Sequence, residues 1–553
     1  SEPFIPNMPI RPLHVVSFAA ALLHLPGRRT AGLLATLQPL GATASLVMFG
    51  ASTWASARRR RLSASDALLS QWRDLPVAVS SVLMLASASA GGSLGWWTSV
   101  VSGVVGLLFT GASVGARALL PVPEPPVQRN PKSVVGTKTF TLRLGDTGRV
   151  ATVQVWYPAR RHKRAQPAMF WTSGHPETAA WESRTLFSAL SAFIGAPWFS
   201  FGHMMLADTR TGHALPLQPR VDPLASPKTP VATAPLRPLA IFIHGLYGFR
   251  FQNSSMCADL ASEGFVVMAM DHHPDSLQAV FPRNKTAIPF DYRVPPGSSR
   301  DAERAHWIKG LNRRVSDIQA LLDAVEAASG RSPRSPVGGG ADDHGGGPSF
   351  EQLSRLVDPS HVVVLGHSYG GGTAMSLARR DRRIAAACGL DAWMWCVPDE
   401  DYDGSHRAPV LFVSADLWPV AKFQAGWRRQ MTAGAHGSVN LVLRGTGHHN
   451  FSDLAVMASR TVMEKGTKIG PLDARLGLAI VGELVLRFSQ RHVPCAMPEG
   501  ESLPAELASY ADEARATSAT TTSERFCRAV LQGTPLESGL EHVVDADVVF
   551  PPA

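Results

Sequence analysis

Residues 361–375, HVVVLGHSYGGGTAM, decide the fold. A run of apolar residues leads straight into Gly366-His367-Ser368-Tyr369-Gly370, and more glycine follows. The Gly-x-Ser-x-Gly spacing describes a strand-to-helix turn so tight that only glycines fit around the serine. Such a turn lifts the hydroxyl clear of the sheet, where a base can reach it. A chance match is the competing account in a chain with 48 glycines. The flanks argue against it: VVVL reads as a fully buried parallel strand, and GGTAMSLARR reads as a helix opening on small residues.

A serine alcohol is a poor nucleophile until a histidine takes its proton and an acid orients that histidine. Around this kind of elbow the order along the chain is Ser, then Asp or Glu, then His, so the partners lie downstream. Asp391 ends RIAAACGLDAW, the next apolar strand, and would emerge at the same sheet edge as Ser368. Asp416, after APVLFVSAD, ends the following strand and is its rival. Asp399, Glu400, Asp401 and Asp403 read as solvated loop charges. The base follows a later strand, Val439 to Leu443, in GTGHHNFSDL. Two adjacent histidines, His448 and His449, cannot both face one serine, and residue chemistry alone does not choose between them.

An oxyanion hole needs two backbone N–H groups. Tyr369, directly after the nucleophile, supplies one. PLAIFIHGLYGFR supplies the other: a strand over Leu239–Ile243, then a glycine turn in which Leu246 is the donor. His244 reads as a side chain that braces this turn rather than as a base. His272 and His273 lack the acidic or cysteine partners that a zinc site needs and read as loop residues after the strand GFVVMAMD. Trp393 and Trp395 read as core rather than as an acyl pocket.

FIHGLYGFR, DLASEGFVVMAMDHH, LGHSYGGGTAM, GLDAWMW and GHHNFSDL together resemble the platelet-activating factor acetylhydrolases of the plasma and type II intracellular kind. The likeness runs from about Pro131 to Val493 and includes VQVWYPA, LSAFIGAPWFSFGHMM and LDARLGLAIVGELVLRFSQRHV. The resemblance implies Ser368 as nucleophile, Asp391 as acid and His448 as base, since the family's histidine stands two before Asn-Phe. Leu246 and Tyr369 become the oxyanion donors. His449 departs from the family, where an uncharged polar residue is more usual. The implied activity is calcium-independent hydrolysis of the sn-2 ester of phospholipids with short or oxidised acyl chains, with no cofactor and no metal.

The N-terminal region carries a different signal. No ionisable residue occurs from Ala31 to Ala57, a run closed by Arg58–Arg61, nor from Leu75 to Ala116, a run divided by Gly91-Gly92 and followed by Arg117. About 20 apolar residues suffice to span a bilayer, so the first run predicts one span and the second a helical hairpin. PLHVVSFAAALLH is shorter and is expected at the interface. Core helices of a soluble domain are the alternative. Charge-free runs with arginine flanks favour the membrane, and the arginine-rich Arg58–Asp74 loop is expected on the cytoplasmic or matrix-like face with the hydrolase.

The net charge of +9 suits an anionic membrane surface. No basic run is interleaved with aromatics, so no nucleic-acid partner is expected. The cysteines at 257, 388, 396, 495 and 527 are scattered and read as reduced thiols.

The fold class expected is α/β: an α/β-hydrolase fold, with a mostly parallel central sheet flanked by helices, behind an α-helical, transmembrane N-terminal region. The domains read as residues 1–120, a proline-rich linker over 121–135, the hydrolase over 136–493 and a C-terminal extension over 494–553. A glycine-rich stretch, 331–349, reads as a disordered insertion. Two functions fit: a membrane-attached phospholipid esterase, or an accessory subunit of a membrane complex built on a retained hydrolase domain.

Overall fold

The computed structural model describes residues 12–23, 31–60, 62–88, 92–123, 133–145, 148–159, 166–169, 171–173, 177–206, 208–214, 236–282, 284–330, 342–343, 348–402, 408–417, 438–457, 459–466, 469–493 and 544–545. The chain divides into two compact units. One comprises Ser1–Glu124, Ser183–Ala207 and Met457–Met463, the other Pro125–Glu182, Asp208–Val456 and Glu464–Ala553.

The first unit holds α1 (Pro12–Leu23), α2 (Ala31–Arg60), α3 (Ala64–Ser70), α4 (Leu75–Ala88) and α5 (Gly92–Leu119). α4 ends at Ala88 and α5 opens at Gly92, and residues 89–91, where the sequence predicts a break, lie outside the described residues. Gly106 lets α1, α4 and α5 close up: a Cβ there would sit 2.9 Å from Ala21 Cβ and 3.3 Å from Met84 Sδ. This unit buries many polar side chains beside its apolar cluster of Ala21, Ala42 and Met84. Its interior holds His14, Ser17, Asp74, Ser80, Ser81, Thr110, Ser113 and Arg117, while Val15, Phe18, Leu40, Val47, Val82, Val101 and Leu108 face outward. Many of the buried hydroxyls bond back to their own helix, Ser81 to the Val77 carbonyl (2.8 Å) and Thr110 to that of Gly106 (2.7 Å).

Among the described residues one helix, over Val100–Leu119, is long and apolar enough to cross a membrane. The Ala31–Ala57 run lies within the 30-residue α2, whose hydrogen bonding Pro39 interrupts. The segment expected at the interface is the bundle helix α1, pinned to α5 by His14–Ser113 (2.8 Å) and Ser17–Thr110 (3.0 Å).

The second unit is built on strands β1 (Val134–Leu144), β2 (Arg149–Ala159), β3 (Gln166–Met169), β4 (Asp208–Ala214), β5 (Arg237–Ile243), β6 (Val266–Met270), β7 (Gln278–Phe281), β8 (Thr286–Pro289), β9 (Asp342–Asp343), β10 (Val357–His367), β11 (Ile384–Leu390), β12 (Val410–Ala415), β13 (Val439–Leu443) and β14 (Val544–Asp545). One mixed sheet runs β14-β13-β12-β11-β10-β5-β6-β2-β1-β4-β3, with β9 also on β1, and β7–β8 form a separate pair. From β13 to β6 all pairings are parallel. That is why these strands read as unbroken apolar runs: both faces are covered. The helices are α6 (Ala179–Phe193), which begins in this unit, α7 (Ser254–Ser262), α8 (Arg300–Ala328), α9 (Phe350–Leu356), α10 (Tyr369–Arg380), α11 (Arg460–Gly466), which ends in it, and α12 (Ala474–His492). Ile241, Ile243, Val362, Val364, Leu311, Ile318 and Met375 share one core, each such side chain contributing about 1.5–3 kcal/mol on burial.

Asp401, expected as a solvated charge, is buried and ion-paired with Arg380 (Nη2 to Oδ2, 2.6 Å). Of the glycine-rich stretch, residues 331–341 and 344–347 lie outside the described residues, whereas Ser349 caps α9 in a reciprocal capping box with Gln352. Most of the C-terminal extension also lies outside them, with Cys495 and Cys527. Cys257, Cys388 and Cys396 are buried free thiols.

Candidate active site

Close packing explains the glycines around Ser368. A Cβ on Gly366 would lie 2.2 Å from the Gly370 carbonyl oxygen, and one on Gly370 would lie 2.1 Å from that of Ile243. Ser368 itself takes φ 56° and ψ −120°, a left-handed conformation that costs a non-glycine residue on the order of 1–3 kcal/mol. Neighbouring main chain holds it there: Ser368 N–H donates to Leu390 at the end of β11 (3.0 Å), and its carbonyl accepts from Trp393 (2.8 Å) and Gly371 (2.9 Å). The serine stays half-buried while its neighbours are buried.

Asp391 follows β11 and also has positive φ, 44°. Its amide donates to Val413 (2.8 Å) and its Oδ1 accepts from Ala415 N–H (3.1 Å). The other oxygen, Oδ2, is hydrogen-bonded to His448 Nδ1. Burial pushes the Asp391 carboxyl up to about 6, against the pull of the Ala415 amide and of His367 and His449. The rival Asp416 is occupied elsewhere. Its two oxygens accept from Gly445 (2.8 Å) and Thr446 (3.0 Å) and fix the turn that follows β13.

His448 and His449 are separated by the same geometry. His448 is buried in a short 3-10 turn, and its ring meets Asp391; His449 is half-buried beside it. Asn450 locks the turn by accepting from Gly447 (2.8 Å) and Gly470 (2.7 Å), and Asn253 donates to the Phe451 carbonyl (2.7 Å). Asp453 accepts from the amide and hydroxyl of Ser255, at the first turn of α7. The HHNFSD segment thus carries one residue on the acid and three, Asn450, Phe451 and Asp453, whose hydrogen bonds hold it in place.

The loop after β5 lies against the nucleophile: a Cβ on Gly245 would be 3.3 Å from Ser368 Cβ. Leu246 is half-buried in that loop. His244 is a brace, as expected. Its Nδ1 donates to the Gly245 carbonyl (2.7 Å) and its Nε2 accepts from Ser276 (2.9 Å). Burial, with Arg314 and His272 nearby, drives its pKa well down and keeps the ring neutral. His272, expected in a loop, is buried against His244. Half-buried Trp393 and Trp395 pack on the core with Trp307 and Tyr369. Sequence reasoning missed Gln252, Arg314 and Asp275, which are buried behind this site and belong to no recognised pattern.

The family model described as platelet-activating factor acetylhydrolase, isoform II, matches residues 135–501. The platelet-activating factor acetylhydrolase of Gallus gallus is 26% identical over 279 residues, covering 46% of this chain and 62% of that protein. That of Canis lupus familiaris is 25% identical over 334 residues, covering 58% and 69%. Among solved structures, a ferulic acid esterase from Streptomyces cinnamoneus aligns with TM-score 0.45 at 20% identity, over 69% of this chain and 96% of that one.

Proposed function

We propose, for a chain that belongs to the platelet-activating factor acetylhydrolase, isoform II family, that it is a serine esterase acting on the sn-2 ester of phospholipids with short or oxidised acyl chains. The observation that carries this reading is the Asp391 carboxylate bonded to His448 Nδ1 beside the strained Ser368 elbow. With Nδ1 engaged, Nε2 is the nitrogen that takes the Ser368 proton as the hydroxyl oxygen attacks the ester carbonyl. Asp391 stabilises the imidazolium that forms. The tetrahedral oxyanion rests on the N–H groups of Leu246 and Tyr369. Collapse expels the lysophospholipid, protonated by His448, and water then cleaves the acyl-serine by the same route.

Membrane attachment through the helical unit is part of the proposal. A bundle with hydroxyls and charges inside and Leu108, Leu40 and Val47 outside is arranged for an apolar solvent. The test uses the full chain in its native membrane. Ser368→Ala should abolish fluorophosphonate labelling and hydrolysis of an sn-2 acetyl phospholipid, a loss on the order of 10⁴-fold or more, and the protein should resist alkaline carbonate extraction. Full turnover in Ser368→Ala overturns the catalytic reading, and release by carbonate overturns the membrane one.

A further inference from the structure

Each N–H assigned to the oxyanion shares a planar trans peptide with the carbonyl of the preceding residue, and the two point in opposite directions. Whatever holds that carbonyl therefore aims the N–H. For Tyr369 the carbonyl is that of Ser368, held by the backbone amides of Trp393 at 2.8 Å and Gly371 at 2.9 Å, so main-chain groups do the aiming. For Leu246 the carbonyl is that of Gly245, on a loop beyond the end of β5. Here the holding groups are side chains. His244 Nδ1 donates at 2.7 Å, Arg314 Nη2 donates at 3.3 Å, and the Gly248 amide adds a third bond at 3.0 Å.

Arg314 is the residue that ties this loop to the rest of the site. It is fully buried in the middle of α8. Asp275 clamps it from one side with two parallel bonds, Nε to Oδ2 and Nη2 to Oδ1, both 3.0 Å. Its Nη1 donates to the His244 carbonyl at 2.6 Å, so the same guanidinium grips two successive carbonyls of the loop. Its carbon lies 4.6 Å from the centre of the Tyr369 ring, the side chain of the other donor residue. Asp275 also takes the Tyr247 amide on its backbone carbonyl (3.2 Å). Only a planar fork of donors can make this set of contacts at once. A buried ion pair is by itself weak evidence for a stabilising role, since packed apolar groups can often replace it with little loss.

We propose, resting on the Ser368 reading above, that Arg314 is a positioning residue for ester hydrolysis: clamped by Asp275, it fixes the Gly245 carbonyl and so aims the Leu246 N–H at the oxyanion. Lysine keeps the charge opposite Asp275 but cannot grip both carbonyls while remaining paired. A donor that is aimed poorly loses its effect in the transition state and leaves ground-state binding alone.

The experiment compares the full-length parent with Arg314→Lys, and with Asp275→Asn should the lysine variant fail to fold, as judged by its melting curve. Three quantities are measured: kcat and KM on an sn-2 acetyl phospholipid, affinity for a trifluoromethyl ketone analogue whose hemiketal oxygen occupies the oxyanion position, and affinity for an sn-2 ether analogue that has no carbonyl. Loss of an entire oxyanion donor costs roughly 10²–10³ in kcat, so misaiming one should cost about 10- to 100-fold. The expected result is that fall in kcat, an equal fall in ketone affinity, and KM and ether affinity within about twofold of the parent. A folded variant with parental kcat overturns the proposal, as does one in which ketone and ether affinities fall together. A parent that neither hydrolyses nor labels at Ser368 overturns the esterase reading instead, so the two failures are distinguishable.

Discussion

His367, the residue before Ser368, donates from Nε2 to the backbone carbonyl of His448 at 2.8 Å. Its Nδ1 accepts from Gln252 Nε2 at 3.1 Å. Burial, with His448 and His449 close by, lowers its pKa well below the usual histidine range, so the ring stays neutral and can donate on one side and accept on the other. The elbow and the base turn are therefore joined by the residue between Gly366 and Ser368. His367→Phe keeps a ring of similar bulk and removes both bonds. It should lower kcat by about 10- to 100-fold, the scale on which supporting contacts one step from the reacting groups act, with KM nearly unchanged. Steady-state kinetics on the folded variant checks this, and a parental kcat would show that the link positions nothing.

His448→Ala should cripple turnover by on the order of 10⁴-fold or more, as loss of a triad base does, while His449→Ala should cost less than about tenfold. His448 Nδ1 is the ring nitrogen hydrogen-bonded to Asp391. The acid limb of kcat/KM in the parent should lie near pH 6, because burial raises the Asp391 carboxyl to about 6 and protonating the pair removes the charge that stabilises the imidazolium. A reversed ranking of the two alanine variants would move the base to His449.

The strands of the site were legible because each contains a short apolar run: β13 is Val439–Leu443 in both readings. Asp391 and Asp416 end neighbouring strands, so pattern alone offered both; the backbone amides of Gly445 and Thr446, which occupy Asp416, have no sequence signature. Arg314 was not legible either. The helix α8 carries Arg304, Arg313 and Arg314, and only the packing of that helix decides that Arg314 faces inward. Asp401 failed for the same reason, since its partner Arg380 lies at the far end of α10. In the N-terminal unit charge-free length was visible, but the inward direction of the hydroxyls was not.

Asp453 provides a stability test of the site's framework. Burial raises its carboxyl to about 7 despite its bonds from Ser255 and Trp171, whereas an unfolded aspartate titrates near 3.9. Between about pH 4 and pH 7 the folded protein therefore holds a proton that the unfolded chain has released, and this group's contribution to stability declines as pH rises through that window. Asp453→Asn removes the cost, worth up to about 4 kcal/mol at ~1.4 kcal/mol per pKa unit. Calorimetry should find the variant more stable than the parent at pH 8, with the gain closing by pH 4. A gain independent of pH would place the effect in the hydrogen bonds to Ser255 rather than in ionisation.

Inside the helical unit, Asp74 Oδ1 accepts from Arg117 Nε at 3.0 Å and from Ser113 at 3.2 Å, with His14 Nε2 at 3.3 Å. All four side chains are buried. Removing the carboxylate leaves the Arg117 charge in an apolar surrounding without the group it is paired to, a defect that typically costs about 3–5 kcal/mol, whereas replacing both partners with apolar groups is often neutral. In detergent or lipid, Asp74→Ala should therefore melt well below the parent, and Asp74→Ala combined with Arg117→Met should recover most of the loss. Esterase turnover measured below both melting points should be unchanged in either variant, because the pair lies outside the hydrolase unit. Additive losses in the double variant would mean that Asp74 and Arg117 are each stabilised independently, and the polar interior of the bundle would then not be a paired network.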